Sequence, residues 1–500
     1  MLPEAAWLLA IVGLSLVLRA LLFAGVWDPD DYMYAKVAND VRVGLYEPAD
    51  WYALRPSVFL PVAASFALFG VGDLSACAWP ILASTLALVA FFVLLRRLES
   101  PHVALLACAL LATSPGFLFR GSALRPDAIV LLAWVAAAAA LVEADVRSAT
   151  RERLPWLAAC AGFAFLGHLA RLSTLPLFGV FVLAYWALRG RFRPDWLLVP
   201  ALLLVGLFAE ALWAHAAAGD PLARLNLLQD YFRDRTYALR PGWYAAPTAI
   251  DLLRVRGEPA GVWLALPLLA IVAAGVLRAR RLPWMLLAWG VGWWLYLEFG
   301  STSLSRFQPP FKEGRYLLPL LLPACATLAW CLDATFRGRG DGSAAGSRAW
   351  RGVAVAAGLA LLAGGAAFAI RPVPRPVLKH VASDPALVRE ALVPFERAAS
   401  LLRVAPGTVY LSPGREPRRW ARAVAFHLGY PAGGPEDARA VVPGSPFVVL
   451  PRAASFQAVE RGYVLRLERP GAPAPQRPDW LLVSREPGPG YRFALYRVGR

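Results

Sequence analysis

Cysteine and lysine are scarce in this chain of 500 residues, and metal-ligand spacing is missing. The five cysteines, Cys77, Cys108, Cys160, Cys325 and Cys331, lie inside or beside apolar runs and form no CxxC pair. That excludes a disulfide framework and a thiolate metal site, and leaves them as small core residues. Arginine greatly outnumbers lysine, which bears on genome composition and not on mechanism. His380 and His427 stand alone, and His168 and His215 sit where packing explains them, so no histidine pattern points to a metal. There is no short-period repeat, and the only biased stretch is the glycine-serine loop from Gly338 to Ser347. Those absences exclude solenoids and low-complexity scaffolds.

Apolar residues are what the chain has in excess. They make up 58%, with a mean hydropathy of +0.51, against about 45–50% in soluble domains. Several runs reach the roughly 20 residues that carry a helix across a bilayer. The pattern predicts a multi-pass α-helical membrane protein of about 11 spans, near 5–24, 76–95, 103–120, 127–143, 155–170, 174–188, 196–214, 261–277, 283–299, 315–332 and 352–370. The first run is long, and no small-x-small site follows Phe23 before the polar WDPDD loop, so it reads as a retained span.

The net charge of +17 would suggest nucleic acid in a soluble protein. Here it is better explained by topology, because cationic loops stay on the cytoplasmic side. With a cytoplasmic N-terminus, the inside loops are Arg96-Arg97, Arg147 to Arg153, Arg189 to Arg193, Arg278 to Arg281 and Arg337 to Arg351. The outside segments are then 25–75, 215–260, 300–314 and everything after 371. Within the first, Arg55 to Gly70 is too short an apolar run to span, and an interfacial or re-entrant helix is expected, with Pro56 near its start. Residues 1–370 thus form the membrane part. Residues 371–500 form an extracytoplasmic α/β domain, with strands expected at GTVYLS, FVVLP, YVLRLE, WLLVS and FALYRV and helices at 384–403 and 417–428. This tail holds 20 basic and 10 acidic residues, a surface for anionic headgroups, an anionic substrate or plain solvent.

Against this basic background, "WDPDDYMYAKVAND" places Asp28, Asp30 and Asp31 at the exit of the first span. The plain reading is a solvated loop, with Asp30 or Asp31 capping the helix that starts near Tyr32. The functional reading rests on the flanking aromatics Trp27, Tyr32 and Tyr34, on the outside location, and on a second acid, Asp127, at the outer mouth of another span.

The same stretch, continued through "RPSVFLPVAASFALFG", resembles the first outer loop of the polyprenyl-phosphate-sugar-dependent membrane glycosyltransferases, the superfamily of dolichyl-phosphate-mannose protein mannosyltransferases and lipid A aminoarabinose transferases. Asp30-Asp31 stands at the family's acidic pair, Tyr34 among the aromatics after it, and Arg55-Pro56-Ser57 at its Lys-Pro-Pro stretch. "RPD", Arg125 to Asp127, resembles its Arg-x-Asp. "GHLARLSTLPLFG" puts Arg171 where a lysine is usual, and "GRYLLPLLLP" supplies Arg315 and Tyr316 at a late Arg-Tyr motif. The likeness covers about residues 5–335, in order. The tail beyond 371 matches no pattern of the family.

The resemblance implies sugar transfer from a polyprenyl-phosphate donor to an acceptor hydroxyl, at the outer face of the cell's (inner) membrane. Such a reaction needs a general base and cations for the departing phosphate. Asp30 is the expected base, with Asp31 second, and a single displacement by that base inverts the anomeric centre. Arg55, Arg125, Arg171 and Arg315 are expected to contact phosphate, because a guanidinium fork matches its oxygens; snorkelling to the headgroups is the plain alternative for each. Tyr34 and Tyr316 are expected to line the substrate. Asp127 positions the acceptor or pairs with Arg125. No ligand spacing demands a metal, and a divalent cation between Asp30 and Asp127 stays open. The expected partners are the lipid-linked donor, membrane lipid and an acceptor glycan, lipid or protein, with no nucleic acid. A transporter or flippase of lipid-linked glycans is the rival reading. It would place acids near the bilayer midplane rather than at the outer ends.

Overall fold

The computed structural model describes residues 2–48, 50–190, 193–227, 284–299, 318–336, 385–411, 415–430, 447–449, 460–468, 480–488 and 491–499. The expected spans at 261–277 and 352–370, and the site residues Arg315 and Tyr316, lie outside the described residues. The chain divides into two compact units. The first comprises Met1–Phe23, Pro48–Val58 and Pro80–Arg371; the second comprises Ala24–Glu47, Phe59–Trp79 and Pro372–Arg500.

The first unit is helical. Its elements are α1 (Leu2–Leu21), most of α4 (Asp73–Leu98), α5 (Pro101–Ala112), α6 (Pro115–Arg120), α7 (Pro126–Val146), α8 (Thr150–Ala170), α9 (Thr174–Arg189), α10 (Leu198–Ala218), α11 (Trp284–Phe299) and α12 (Leu318–Phe336). Among the described residues four helices are long and apolar enough to cross a membrane: Glu4–Leu21, Asp73–Leu98, Pro126–Val146 and Pro194–Ala218. The single span expected over 103–120 is two helices instead. Pro115 has no N–H to continue α5, and its ring drives Ser114 out of the helical region to φ −68°, ψ 124°.

Helix α7 is the centre of this unit. Its run of alanines and bulky residues is buried from Pro126 to Ala144, as expected for a helix apolar on every side. Small residues let α8 approach it closely. A Cβ on Gly167 would meet Ala133 Cβ at 2.8 Å and Thr174 Cγ2 at 2.5 Å. Trp134 of α7 and Trp289 of α11 pack edge to face at 4.4 Å, and Phe181 of α9 adds a third ring at 5.5 Å from Trp289.

Among the described residues, Arg96, Arg97, Arg147, Arg153 and Arg193, from three of the loops expected to share one side of the membrane, meet at one end of this bundle. Arg96 pairs with Glu4 at 3.3 Å, Arg97 with Glu143 at 2.5 Å and Arg147 with the same carboxylate at 3.4 Å. Arg153 pairs with Asp195, and Arg193 with Asp145 at 3.4 Å. These pairs join the start of α1, the ends of α4 and α7, the start of α8 and the turn before α10.

The second unit contains α2 (Pro29–Arg42), most of α3 (Pro56–Phe69), α13 (Pro385–Val404), α14 (Arg415–His427) and strands β1 (Val409–Leu411), β2 (Phe447–Val449), β3 (Gly462–Glu468), β4 (Trp480–Gly488) and β5 (Tyr491–Val498). The five strands and two helices expected in the tail are all present, and the strands form one sheet in the order β2-β1-β3-β5-β4. β1 runs parallel to β2 and β3, while β3-β5 and β5-β4 are antiparallel. Val464, Ala494, Tyr496 and Val498 form its core. Helix α3 has 14 residues, about 21 Å at 1.5 Å per residue, which is short of a hydrocarbon core of roughly 30 Å. Gly70 follows it at φ +77°, the left-handed geometry that ends helices.

Candidate active site

The acidic loop is built from its backbone outward. Gly25 sits at φ +72°, and a Cβ there would lie 2.5 Å from Asp73 Oδ1; that carboxylate accepts from Val26 N at 2.7 Å. Glycine is therefore required for the chain to pass this close to Asp73. Pro29 then occupies the first helical position of α2, where its missing N–H costs nothing.

The residue before the proline becomes the cap. Asp28, not Asp30 or Asp31, is the N-cap of α2, which corrects the expectation from sequence. Its Oδ1 accepts from Asp30 N at 2.9 Å, and Asp31 Oδ2 accepts in return from Asp28 N at 3.3 Å. The two carboxylates form a capping box at the positive end of the helix dipole. The three acids thus divide. Asp28 caps, Asp31 is fully buried within the box, and Asp30 is half-buried on the same turn. Tyr32 and Tyr34 are buried behind them. Burial, with the negative charge of Asp73 adding to it, holds the Tyr32 phenol well above its ordinary range and keeps it neutral.

The remaining predicted residues belong to the first unit. Asp127, in the first turn of α7, is 3% exposed. Arg171, the residue after α8, donates from Nη2 to Asp127 Oδ1 at 2.5 Å. The structure therefore brings Asp127 and Arg171 together. Arg125 is buried at the N-cap position of α7, next to Pro126. Arg55 immediately precedes α3, with its guanidinium stacked 4.2 Å from the Trp51 ring.

Sequence reasoning missed the roles of four further polar side chains at this end of the bundle. His168, expected to be packing, lies 2.7 Å from Glu210 Oε2 through Nε2. Arg224 donates to Glu210 Oε1 at 2.7 Å and to the His168 carbonyl at 2.5 Å. An acid inside the apolar run "LFAEALWAH" was the available signal. Arg19, near the end of α1, is also buried. It reaches Ser15 at 3.4 Å and Ser122 at 3.5 Å and lies 4.7 Å from the Phe117 ring. Among the described residues, no group of three or more His, Cys, Asp or Glu side chains gathers as metal ligands do.

What the arrangement offers is a carboxylate on a rigid, capped helix and, in the other unit, buried guanidiniums at helix ends. These are the groups that proton removal and anion binding use.

Residues 55–214 match the family model of dolichyl-phosphate-mannose-protein mannosyltransferases. Two curated relatives are undecaprenyl phosphate-α-4-amino-4-deoxy-L-arabinose arabinosyl transferases of Pseudomonas aeruginosa. The one from strain LESB58 is 30% identical over 330 residues, covering 62% of this chain and 56% of the relative. The one from strain UCBPP-PA14 is 29% identical over 349 residues, covering 65% and 59%. The chain thus spans less than two thirds of the length of the curated relatives it matches. Among solved structures, ArnT from Cupriavidus metallidurans, bound to undecaprenyl phosphate, aligns with a TM-score of 0.55 at 15% identity, covering 99% of this chain and 98% of that one. The Archaeoglobus fulgidus oligosaccharyltransferase in complex with Zn and sulfate aligns at 0.52 and 14%, covering 85% and 61%. At such identities the structures speak for the fold alone. Over residues 55–214 the helical region is thus similar to the dolichyl-phosphate-mannose-protein mannosyltransferases, and over 330 residues the chain is similar to arabinosyl transferases named for an undecaprenyl phosphate-linked sugar.

Proposed function

We propose that this protein transfers a sugar from a polyprenyl-phosphate donor to an acceptor hydroxyl at the outer face of the cytoplasmic membrane, with inversion. The observation that carries the reading is the likeness over 330 residues to transferases whose named donor is an undecaprenyl phosphate sugar. The division of labour in the acidic loop supports it. Asp28 and Asp31 form the capping box of α2, and Asp30 is half-buried on the same rigid first turn.

In this reading Asp30 takes the proton from the acceptor O–H as its oxygen attacks the anomeric carbon. The bond from that carbon to the phosphate oxygen breaks, and the polyprenyl phosphate leaves with the electron pair. Arg55, Arg125, Arg171 and Arg315 stabilise the phosphate charge that develops. Tyr316 lines the sugar, Tyr34 packs behind the acidic turn where it is buried, and Asp127 orients Arg171 by accepting from its Nη2. The C-terminal sheet and the loop 25–75 lie on the extracytoplasmic side.

The test is turnover by purified protein in nanodiscs containing an undecaprenyl-phosphate pentose, read as release of undecaprenyl phosphate. Asp30→Asn is expected to abolish release while the protein melts as wild type does. Wild-type release by that variant would remove Asp30 as base. Passage of the intact donor across vesicles, without release, would replace the reading with transport.

A further inference from the structure

The strained residue of the described chain lies far from the acids in sequence and against them in space. Tyr430 is the one non-glycine residue among those described with a positive φ, at +47°. It follows α14 in a closed C-terminal turn. Gly429 at φ +80° donates to Phe426 O at 2.8 Å, and Tyr430 N donates to Ala425 O at 2.7 Å. That pair of bonds needs one left-handed residue, which Gly429 supplies. A second left-handed residue with a large side chain is a strain the cap does not require.

The strain aims the phenol at α2. The Tyr430 hydroxyl donates to the carbonyl of Tyr32, one residue after Asp31, at 3.3 Å. Phe426 stands edge-on to both rings, 5.7 Å from Tyr32 and 5.9 Å from Tyr430. Arg422 Nη1 lies 2.7 Å from the sulfur of Met33. All three rings are buried. Three consecutive turns of α14 and its cap, at residues 422, 426 and 430, therefore hold the first turn of the helix that carries Asp30 and Asp31. All of these residues belong to the second unit.

We propose that the C-terminal region is a positioning element for the acidic loop, with Tyr430 and Phe426 as positioning residues that hold Asp30 where it meets the acceptor hydroxyl. This rests on the proposed transfer reaction. The region then needs no substrate contact of its own. A carboxylate placed for proton transfer loses rate steeply when it moves by a fraction of an ångström, whereas a phosphate held by arginines elsewhere does not.

The experiment uses the full chain in nanodiscs and reads kcat, KM for the lipid-linked donor, the melting midpoint, and amide exchange of residues 30–36. Tyr430→Phe removes one hydroxyl and keeps the ring. Phe426→Ala opens the ring cluster. Arg461→Ala, on an exposed residue elsewhere in the tail, is the control. Expected for Tyr430→Phe are faster exchange at 30–36, a kcat lowered by about tenfold, and an unchanged KM and melting midpoint. Phe426→Ala should move exchange and kcat further in the same direction. Unchanged exchange at 30–36 in both variants would overturn the proposal, as would a loss confined to KM. If exchange rises while Asp30→Asn turns over like wild type, the coupling stands and the assignment of Asp30 as base falls.

Discussion

Arg171 donates to Asp127 at 2.5 Å across the α7–α8 interface, and both side chains are buried. A pair of this kind is weak evidence for net stability, but removing one partner leaves a charge in a dry site. Arg171→Gln should lower the melting midpoint by the equivalent of about 3–5 kcal/mol. Adding Asp127→Asn should recover part of that loss, with a coupling of about 0.5–3 kcal/mol. Transfer should stay low in the double variant, because recovered packing does not restore the phosphate contact proposed for Arg171. Thermal melting and turnover, measured on the same preparations, decide it.

The cap at Asp28 separates helix-making from chemistry. Asp28→Asn keeps an oxygen for Asp30 N and should leave turnover within about threefold of wild type. Asp28→Ala removes the cap at a cost of about 0.5–2 kcal/mol and should loosen the turn that carries Asp30. Loss of transfer in Asp28→Asn, with melting unchanged, would give the capping residue a chemical role.

Gly167 measures how closely α7 and α8 pack. Gly167→Ala places a methyl group 2.8 Å from Ala133 and 2.5 Å from Thr174. One helix must shift, at a cost of about 1–3 kcal/mol. Since Arg171 follows α8 by one residue, the shift should also widen the Asp127–Arg171 contact. A wild-type melting midpoint in that variant would show that the interface has slack.

Arg19 presents the opposite case from Arg171. It is 2% exposed, Nη2 has no partner among the described residues, and its neighbours are hydroxyls and a ring. Burying a charge without a counter-ion is unfavourable. Arg19→Met should therefore leave the melting midpoint unchanged or raise it. A fall would show that the guanidinium is stabilised beyond those neighbours.

His427 ends α14, and its carbonyl accepts from Arg403. Burial first, and the Arg403 charge second, push its imidazole down to about 4. The unfolded chain binds a proton near pH 6.5, and the folded chain does not until about pH 4. The unfolded state therefore holds more protons between those values, and stability falls as pH drops through that window. His427→Phe should flatten the acid side of the melting profile between pH 6.5 and 4 relative to wild type.

Much of the fold was legible because its causes are local. The strands FVVLP, WLLVS and FALYRV alternate or run apolar between turn residues, so period alone locates them. The same holds for α14, where charged and apolar residues segregate at helical spacing. The break at Pro115 was equally local, since a proline and the serine before it end one helix and start another, yet hydropathy averaged across it hides the break. The cap shows the same lesson at the site. A proline at the first helical position selects Asp28, and counting acids does not reveal that.

By itself the sequence determined the membrane class, the arginine-rich end of the bundle, the acidic cluster and the residues of the tail's strands. Each depends on composition or on neighbours within a few positions. Only the tertiary structure decided that Arg171 meets Asp127, that Glu210 binds both His168 and Arg224, and that Tyr430 lies against Tyr32 across 398 positions. Those pairings come from helix packing, where burial of apolar faces brings distant side chains together, and no local periodicity encodes the partner.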